Sequence, residues 1–262
     1  MSSRKAQREE ARARRLAEEQ ARAEKARRDR RVRTLVGVFL GAAAVVAVAI
    51  AISSGGGGSG GLAKGSKASK ITAGVTQLLS GIPQSGTRLG SSSAPVTLYY
   101  YGDLECPICQ DFTLSSFPQL VSNDVRQGRV QVIYRGLQTA TRDQQTFQTQ
   151  QVAALAAGKQ NHVWDYVELF YHQQGAEGTG YVTDGFLTGL AKQVPGLNLA
   201  AWRSARSDSS LASQVQSEQQ LATSQGFSAT PTLVVQGPKG KTEPSSSVPS
   251  YSELEQAVKS VA

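Results

Sequence analysis

Cysteine and histidine are scarce in this chain, which has only two of each among 262 residues. A zinc site on the two cysteines would need two further ligands, but His162 and His172 lie more than 50 residues beyond them. There is also no second cysteine pair, so we expect no metal site, and no sequence feature indicates a cofactor. The absence of a third cysteine suits a redox catalyst, because a spare thiol could trap an active pair in the wrong disulfide.

Charge is absent from residues 34–52, although residues 1–33 hold 13 Lys/Arg and 6 Asp/Glu. As a helix, the uncharged stretch would be about 28 Å long, close to the thickness of the bilayer's hydrocarbon core. Because basic residues precede it, the N-terminus should stay cytoplasmic and the remainder should be extracytoplasmic. We predict an uncleaved single-pass transmembrane helix in the cell membrane. A cleaved signal peptide is the alternative, because small residues at 47–51 could form a cleavage site.

The charged segment at residues 1–33 has no apolar stripe with which to pack against a core. Acid-to-base pairs spaced four residues apart, such as Glu10 with Arg14, favour a solvated helix. Nucleic-acid binding is an alternative for such a basic segment, but we favour a charged cytoplasmic helix beside a membrane and expect no nucleic-acid partner. Residues 53–77 are rich in Gly and Ser and predict a flexible linker. Residues 78–262 are long enough for one domain with a substantial core.

The two cysteines lie three positions apart, as Cys106-Pro107-Ile108-Cys109, between a strand-like run and a helix-like segment. Pro107 suits the first turn of a helix, and a cysteine at a helix N-terminus is favoured as thiolate by nearby N–H groups. The thiolate attacks disulfides, and a second cysteine one turn later can release a mixed disulfide. The spacing therefore predicts a redox centre. A purely structural disulfide is the alternative, although so small a loop would restrict the unfolded chain little.

The sequence of this domain predicts a mixed α/β fold. Predicted elements are an edge strand at 83–90, strands at 96–101, 130–134 and 232–235, and helices at 107–122 and 252–261. Pro118 should kink the first helix. Amphipathic helices separated by glycines occupy residues 142–226, so the order predicts a mixed sheet with helices on its faces. Thr230-Pro231 directly precedes a strand, where the proline bond is either an ordinary trans bond or a cis bond beside the cysteines.

Four segments resemble the DsbA-like branch of the thioredoxin superfamily, and more closely its membrane-anchored thiol-disulfide oxidoreductases from Gram-positive, actinobacterial cells. The segments are Ala94-Pro-Val-Thr-Leu98, Gly102-Asp-Leu-Glu-Cys-Pro-Ile-Cys109, Tyr134-Arg135 and Ala229-Thr-Pro-Thr-Leu-Val-Val235. Pro231 follows Cys109 by 122 positions. That spacing resembles the branch that inserts a helical subdomain into the thioredoxin-like fold, rather than plain thioredoxins.

The resemblance implies that Cys106 is an exposed nucleophile, that Cys109 is its resolving partner, and that Thr230-Pro231 is a cis bond facing them. It also implies a donor of disulfides to exported cysteine-containing proteins. Reoxidation would come from a quinone-linked membrane partner, either DsbB-like or similar to vitamin K epoxide reductase. A reductase of the same fold and a non-catalytic exported binding module remain alternatives.

The chain departs from the family pattern at two positions. Many relatives carry a buried acid six residues before the first cysteine, where this chain has Tyr100, a poor base at neutral pH. Asp103 could substitute for that acid, but we favour its interpretation as a turn residue or helix-entry cap. Ile108 stands where strong oxidants often have histidine, so we expect a Cys106 pKa in the upper part of about 3.5–7.5 and moderate oxidising strength.

Overall fold

The computed structural model describes residues 61–262. The predicted charged segment, the predicted transmembrane helix and the start of the predicted linker lie outside the described residues. Within residues 61–262, no helix combines the length and apolar character that a membrane span requires.

A six-stranded mixed sheet forms the centre of the domain, in the order β1-β2-β4-β3-β5-β6. The strands are β1 (Gln84–Ser85), β2 (Arg88–Leu89), β3 (Val96–Gly102), β4 (Val130–Gly136), β5 (Thr232–Gly237) and β6 (Gly240–Lys241). Strand β3 is parallel to β4 and antiparallel to β5, so it is central, as its apolar sequence predicts. The predicted single edge strand at 83–90 is instead the short β1–β2 hairpin.

Helix α1 (Gly65–Leu79) corrects the predicted linker, because it occupies residues 65–77 of the segment 53–77. Its buried side chains are Ile71, Val75 and Leu79, which recur every four residues and therefore share one face of the helix. The backbone N–H of Ala63 also donates to Gln173 on the inserted helical subdomain (2.9 Å). The Gly, Ser and Lys content between these apolar positions obscured an amphipathic helix that belongs to the domain.

The predicted helix over 107–122 is divided into α2 (Pro107–Leu114), α3 (Phe117–Leu120) and a π-helical turn (Val121–Val125). Pro118 lies in the first turn of α3, where its missing N–H leaves no helical bond unmade. The break is therefore sharper than the predicted kink and begins before the proline.

Five helices form the subdomain between β4 and β5, which matches the predicted insertion at 142–226. They are α4 (Gln144–Gly158), α5 (Val163–His172), α6 (Asp184–Ala191), α7 (Leu199–Ala205) and α8 (Ser209–Ser224). Helix α5 is buried over nine consecutive residues from Val163 to Tyr171 and lies in the middle of the subdomain. The C-terminal helix α9 (Tyr251–Val261) begins with a capping box between Ser250 and Glu253.

Aromatic side chains join the sheet to α2, where the cysteines lie, and join α3 to α5. The Tyr100 ring on β3 meets Phe112 on α2 edge to face, with ring centroids 5.1 Å apart. Phe117 stacks on Trp164 of α5, with centroids also 5.1 Å apart. The contact between Tyr100 and Phe112 holds α2 against the carboxyl end of β3, because aromatic pairs combine burial with a preferred geometry.

Candidate active site

Cys106 occupies the N-cap position of α2, and Pro107 is the first helical residue, as predicted. The Cys106 sulfur accepts the backbone N–H of Cys109 at 3.4 Å. This N–H belongs to the first turn of α2, where backbone donors have no partner within the helix. The sulfur of Cys106 therefore takes the place that a Ser or Asp oxygen occupies at many helix starts.

The two cysteines differ in access to solvent. Both are free thiols in the structure; Cys106 is 5% exposed and Cys109 is fully buried. Cys106 is thus the more accessible sulfur, but it is not the openly exposed nucleophile that the resemblance implies. Ile108 between them is 49% exposed, so the rim of the site is apolar.

The surroundings of Cys106 favour its thiolate form. The thiol of Cys109 donates a hydrogen bond that lowers the pKa of Cys106, and burial opposes it. The Thr230 hydroxyl and the N–H groups of Cys109 and Ile108 lower it further, so that the pKa is about 6. This value lies in the upper part of the range expected from the sequence.

The pKa of Cys109 moves in the opposite direction. Burial raises the pKa of this thiol well above its usual value, and its hydrogen bond to Cys106 raises it further. A low pKa on the first sulfur and a high pKa on the second give one nucleophile and one protonated partner.

Thr230 and Pro231 lie against the cysteines, and the bond between them is cis, as the resemblance implies. The Cys106 thiol donates to the Thr230 carbonyl oxygen at 3.3 Å. Strand β5 follows directly and pairs with β3, with Thr232 opposite Tyr101. This pairing brings Thr230 to Cys106 across 124 positions of sequence.

Asp103 is fully buried and its carboxylate acts as an acceptor for a distant loop. One oxygen accepts three successive backbone N–H groups, from Thr139 (2.9 Å), Ala140 (2.9 Å) and Thr141 (2.8 Å). The other oxygen accepts the N–H of Glu105 at 3.1 Å and the hydroxyl of Thr141.

The structure confirms one of the two roles that we favoured for Asp103 and contradicts the other. Its bond to the N–H of Glu105 fits a turn residue, because aspartate often accepts the N–H two positions on. The helix-entry cap is wrong, because Cys106 itself caps α2. The structure adds a role that the sequence did not indicate, which is to hold the loop at residues 139–141.

Tyr100 replaces the acid of many relatives with a buried hydroxyl. This hydroxyl contacts Thr113 (3.1 Å) and Tyr171 (3.2 Å) and donates to the Cys109 carbonyl oxygen (3.3 Å). Burial raises the pKa of Tyr100 well above its usual value, so its hydroxyl stays protonated at neutral pH and no tyrosinate is available to accept a proton. Tyr100 therefore supports the backbone of Cys109 rather than exchanging protons with its thiol.

The structure brings together all the predicted site residues: Asp103, Cys106, Pro107, Ile108, Cys109, Thr230 and Pro231. Sequence reasoning missed Thr139 and Thr141, which reach the site through Asp103 and Thr230. The order of the strands could have indicated these threonines. They follow β4, Asp103 follows β3, and the carboxyl ends of these parallel strands lie at one edge of the sheet. Across residues 61–262, no cluster of three or more His, Cys, Asp or Glu side chains could hold a metal ion.

A cysteine pair at the start of a helix, with unequal acidities and facing a threonine-proline loop, is suited to disulfide exchange. The fold and the site define the class of the protein, which is a thiol-disulfide oxidoreductase of thioredoxin-like fold. Residues 84–259 match the Thioredoxin_4 family, described as Thioredoxin, and the chain belongs to this family.

Curated relatives agree with this class. Disulfide bond formation protein D of Bacillus subtilis is 28% identical over 157 residues, which cover 56% of this chain. The match spans 66% of that relative's own length, a little under two thirds. Probable disulfide bond formation protein D of Bacillus anthracis is 20% identical over 156 residues, covering 57% of this chain and 69% of the relative.

Solved structures share the fold. The oxidised crystal structure of BdbD from Bacillus subtilis aligns with a TM-score of 0.58 and 24% identity, covering 70% of this chain and 96% of its own. DsbA2 from Pseudomonas aeruginosa aligns with a TM-score of 0.54 and 22% identity, covering 70% and 97%. The DsbA-like fold with a helical insertion is confirmed, whereas the membrane-anchored, actinobacterial type stays a prediction.

Proposed function

We propose that this protein is an extracytoplasmic oxidase that donates the Cys106–Cys109 disulfide to exported proteins. The observation that carries the proposal is the set of hydrogen-bond donors around the Cys106 sulfur. The helix N–H of Cys109 and the Thr230 hydroxyl stabilise a thiolate there, and a thiolate at Cys106 exists only in the reduced protein. Stabilising the reduced form makes the oxidised form a better disulfide donor.

The reaction proceeds by two exchanges. A substrate thiolate attacks the Cys106 sulfur and breaks its bond to Cys109, which leaves and takes up a proton. A second substrate thiolate then attacks the substrate sulfur of the mixed disulfide and releases Cys106 as thiolate. The substrate loses two electrons and gains a disulfide, and the enzyme gains the two electrons as one thiol and one thiolate.

Two features support export and anchoring. The uncharged stretch at 34–52 follows a basic segment, which favours a cytoplasmic N-terminus and an extracytoplasmic catalytic domain. Disulfide donation also requires an environment outside the reducing cytosol. The reduced enzyme would return its electrons to a quinone-linked membrane partner, either DsbB-like or similar to vitamin K epoxide reductase. No resident cofactor is needed for exchange at the two sulfurs.

The reduction potential of the purified full-length protein in detergent, equilibrated with glutathione, tests the direction of electron flow. An oxidase should fall between about −180 and −120 mV, and a potential near the thioredoxin value of roughly −270 mV would favour a reductase. Cys106→Ser tests catalysis itself in cells that depend on this protein. If this variant still performs the cellular task, the protein is a binding module and the catalytic proposal fails.

A further inference from the structure

Two hydroxyl groups meet beside the cysteines. Thr139 Oγ1 and Thr230 Oγ1 hydrogen-bond to each other, although 91 positions separate them in the chain. In a bond between two hydroxyls either oxygen can donate, and each hydroxyl has a single proton. The direction of this bond therefore decides whether the Thr230 proton is free to reach another acceptor.

Thr230 offers two groups to the Cys106 sulfur. Its carbonyl oxygen accepts from the thiol at 3.3 Å. A thiolate has no proton to give, so it needs donors. The same residue carries a hydroxyl that can donate, and the influence of the Thr230 side chain lowers the pKa of Cys106. The hydroxyl can act in this way only if its own proton is not committed to Thr139.

The position of Thr139 is fixed by a buried carboxylate. Its backbone N–H donates to Asp103 at 2.9 Å, and the next two N–H groups donate to the same oxygen. Asp103 is fully buried and also accepts the hydroxyl of Thr141. With its backbone held in this way, Thr139 places its hydroxyl against that of Thr230.

We propose that Thr139 is a positioning residue that donates its hydroxyl proton to Thr230 and thereby directs the Thr230 proton to the Cys106 sulfur. Thr139 does not touch the sulfur and acts through Thr230 alone. The inference rests on the proposed function only in taking Cys106 as the reactive sulfur. Ionisation of Cys106 can be measured whichever way electrons flow, so failure of the oxidase proposal and failure of this one are distinguishable.

The test compares Thr139→Val, Thr230→Val and the double variant in the reduced full-length protein, with the Cys106 thiolate followed by its ultraviolet absorbance against pH. We expect Thr139→Val to raise the Cys106 pKa by roughly 0.5–1 unit, the size of one weakened hydrogen bond to a charged group. Thr230→Val should raise it at least as much. The double variant should match Thr230→Val, because Thr139 has no other route to the sulfur.

Three further variants make the result specific. Thr139→Ser keeps the hydroxyl and should restore the original pKa. Thr223→Val changes an exposed threonine of α8 whose hydroxyl donates within its own helix, and it should leave the pKa unchanged. Should Thr139→Val fail to fold, Thr139→Ala removes the same hydroxyl and must give the same shift. An unchanged pKa in Thr139→Val, or a shift of equal size in the Thr230→Val background, would overturn the proposal.

Discussion

Replacing Cys106 by serine should remove a pH-dependent part of the stability of the reduced protein. In the fold, the Cys106 pKa is about 6, whereas an unfolded cysteine has a pKa near 8.5. A lowered pKa in an acid adds stability above the unfolded pKa, and that stability is lost as the pH falls through the folded pKa. The difference of about 2.5 units corresponds to about 3 kcal/mol.

The assay is denaturant unfolding of the reduced full-length chain, followed by the fluorescence of Trp164 and Trp202. These are the only tryptophans in the sequence, and both are fully buried in the domain. The free energy of unfolding of the original protein should rise relative to Cys106→Ser by about 1.4 kcal/mol per pH unit between about pH 6 and 8.5. The oxidised protein is the control, because it has no thiol to titrate. Parallel curves for the two reduced proteins across this range would refute the reasoning.

Two further predictions concern the core. Ile71→Ala should lower the free energy of unfolding by about 2–5 kcal/mol, because Ile71 lies on the buried face of α1. Ser69→Ala, on the exposed face of α1, should not, and a negligible loss in Ile71→Ala would contradict the packing of α1. Glu168 is buried with both carboxylate oxygens lacking a hydrogen bond, and burial raises its pKa to about 8. An acid whose pKa is raised in the fold lowers the free energy of unfolding as the pH rises from its unfolded to its folded pKa. The oxidised protein should therefore lose stability between about pH 4.5 and 8. Glu168→Gln should lose less stability over this range, measured by the same unfolding assay.

Local sequence pattern predicted the elements whose residues carry their own signal. Strands β3 and β5 are continuous β-rich runs, and the position of Pro107 marked the start of α2. Helix α1 was missed because its buried residues are diluted by Gly, Ser and Lys, so that composition favoured a linker. Spacing at every fourth residue was the better guide there.

The cysteine pair could be read from the sequence because both sulfurs lie within four consecutive residues. The polar support of the site could not, because its bonds join distant positions. Asp103 reaches residues 36–38 positions away, and Thr139 reaches Thr230 across 91. Such contacts depend on the order of strands in the sheet, which local periodicity does not specify.

The unequal pKa values of the two thiols also determine how many protons are released when the centre loses two electrons and forms its disulfide. Above about pH 6 the reduced centre retains a proton on Cys109 alone, so closing the disulfide liberates one proton instead of two. The midpoint potential should then fall by only about 30 mV per pH unit, and by about 59 mV per unit in more acidic solution. The centre is consequently less sensitive to ambient acidity than a dithiol with two ordinary sulfurs.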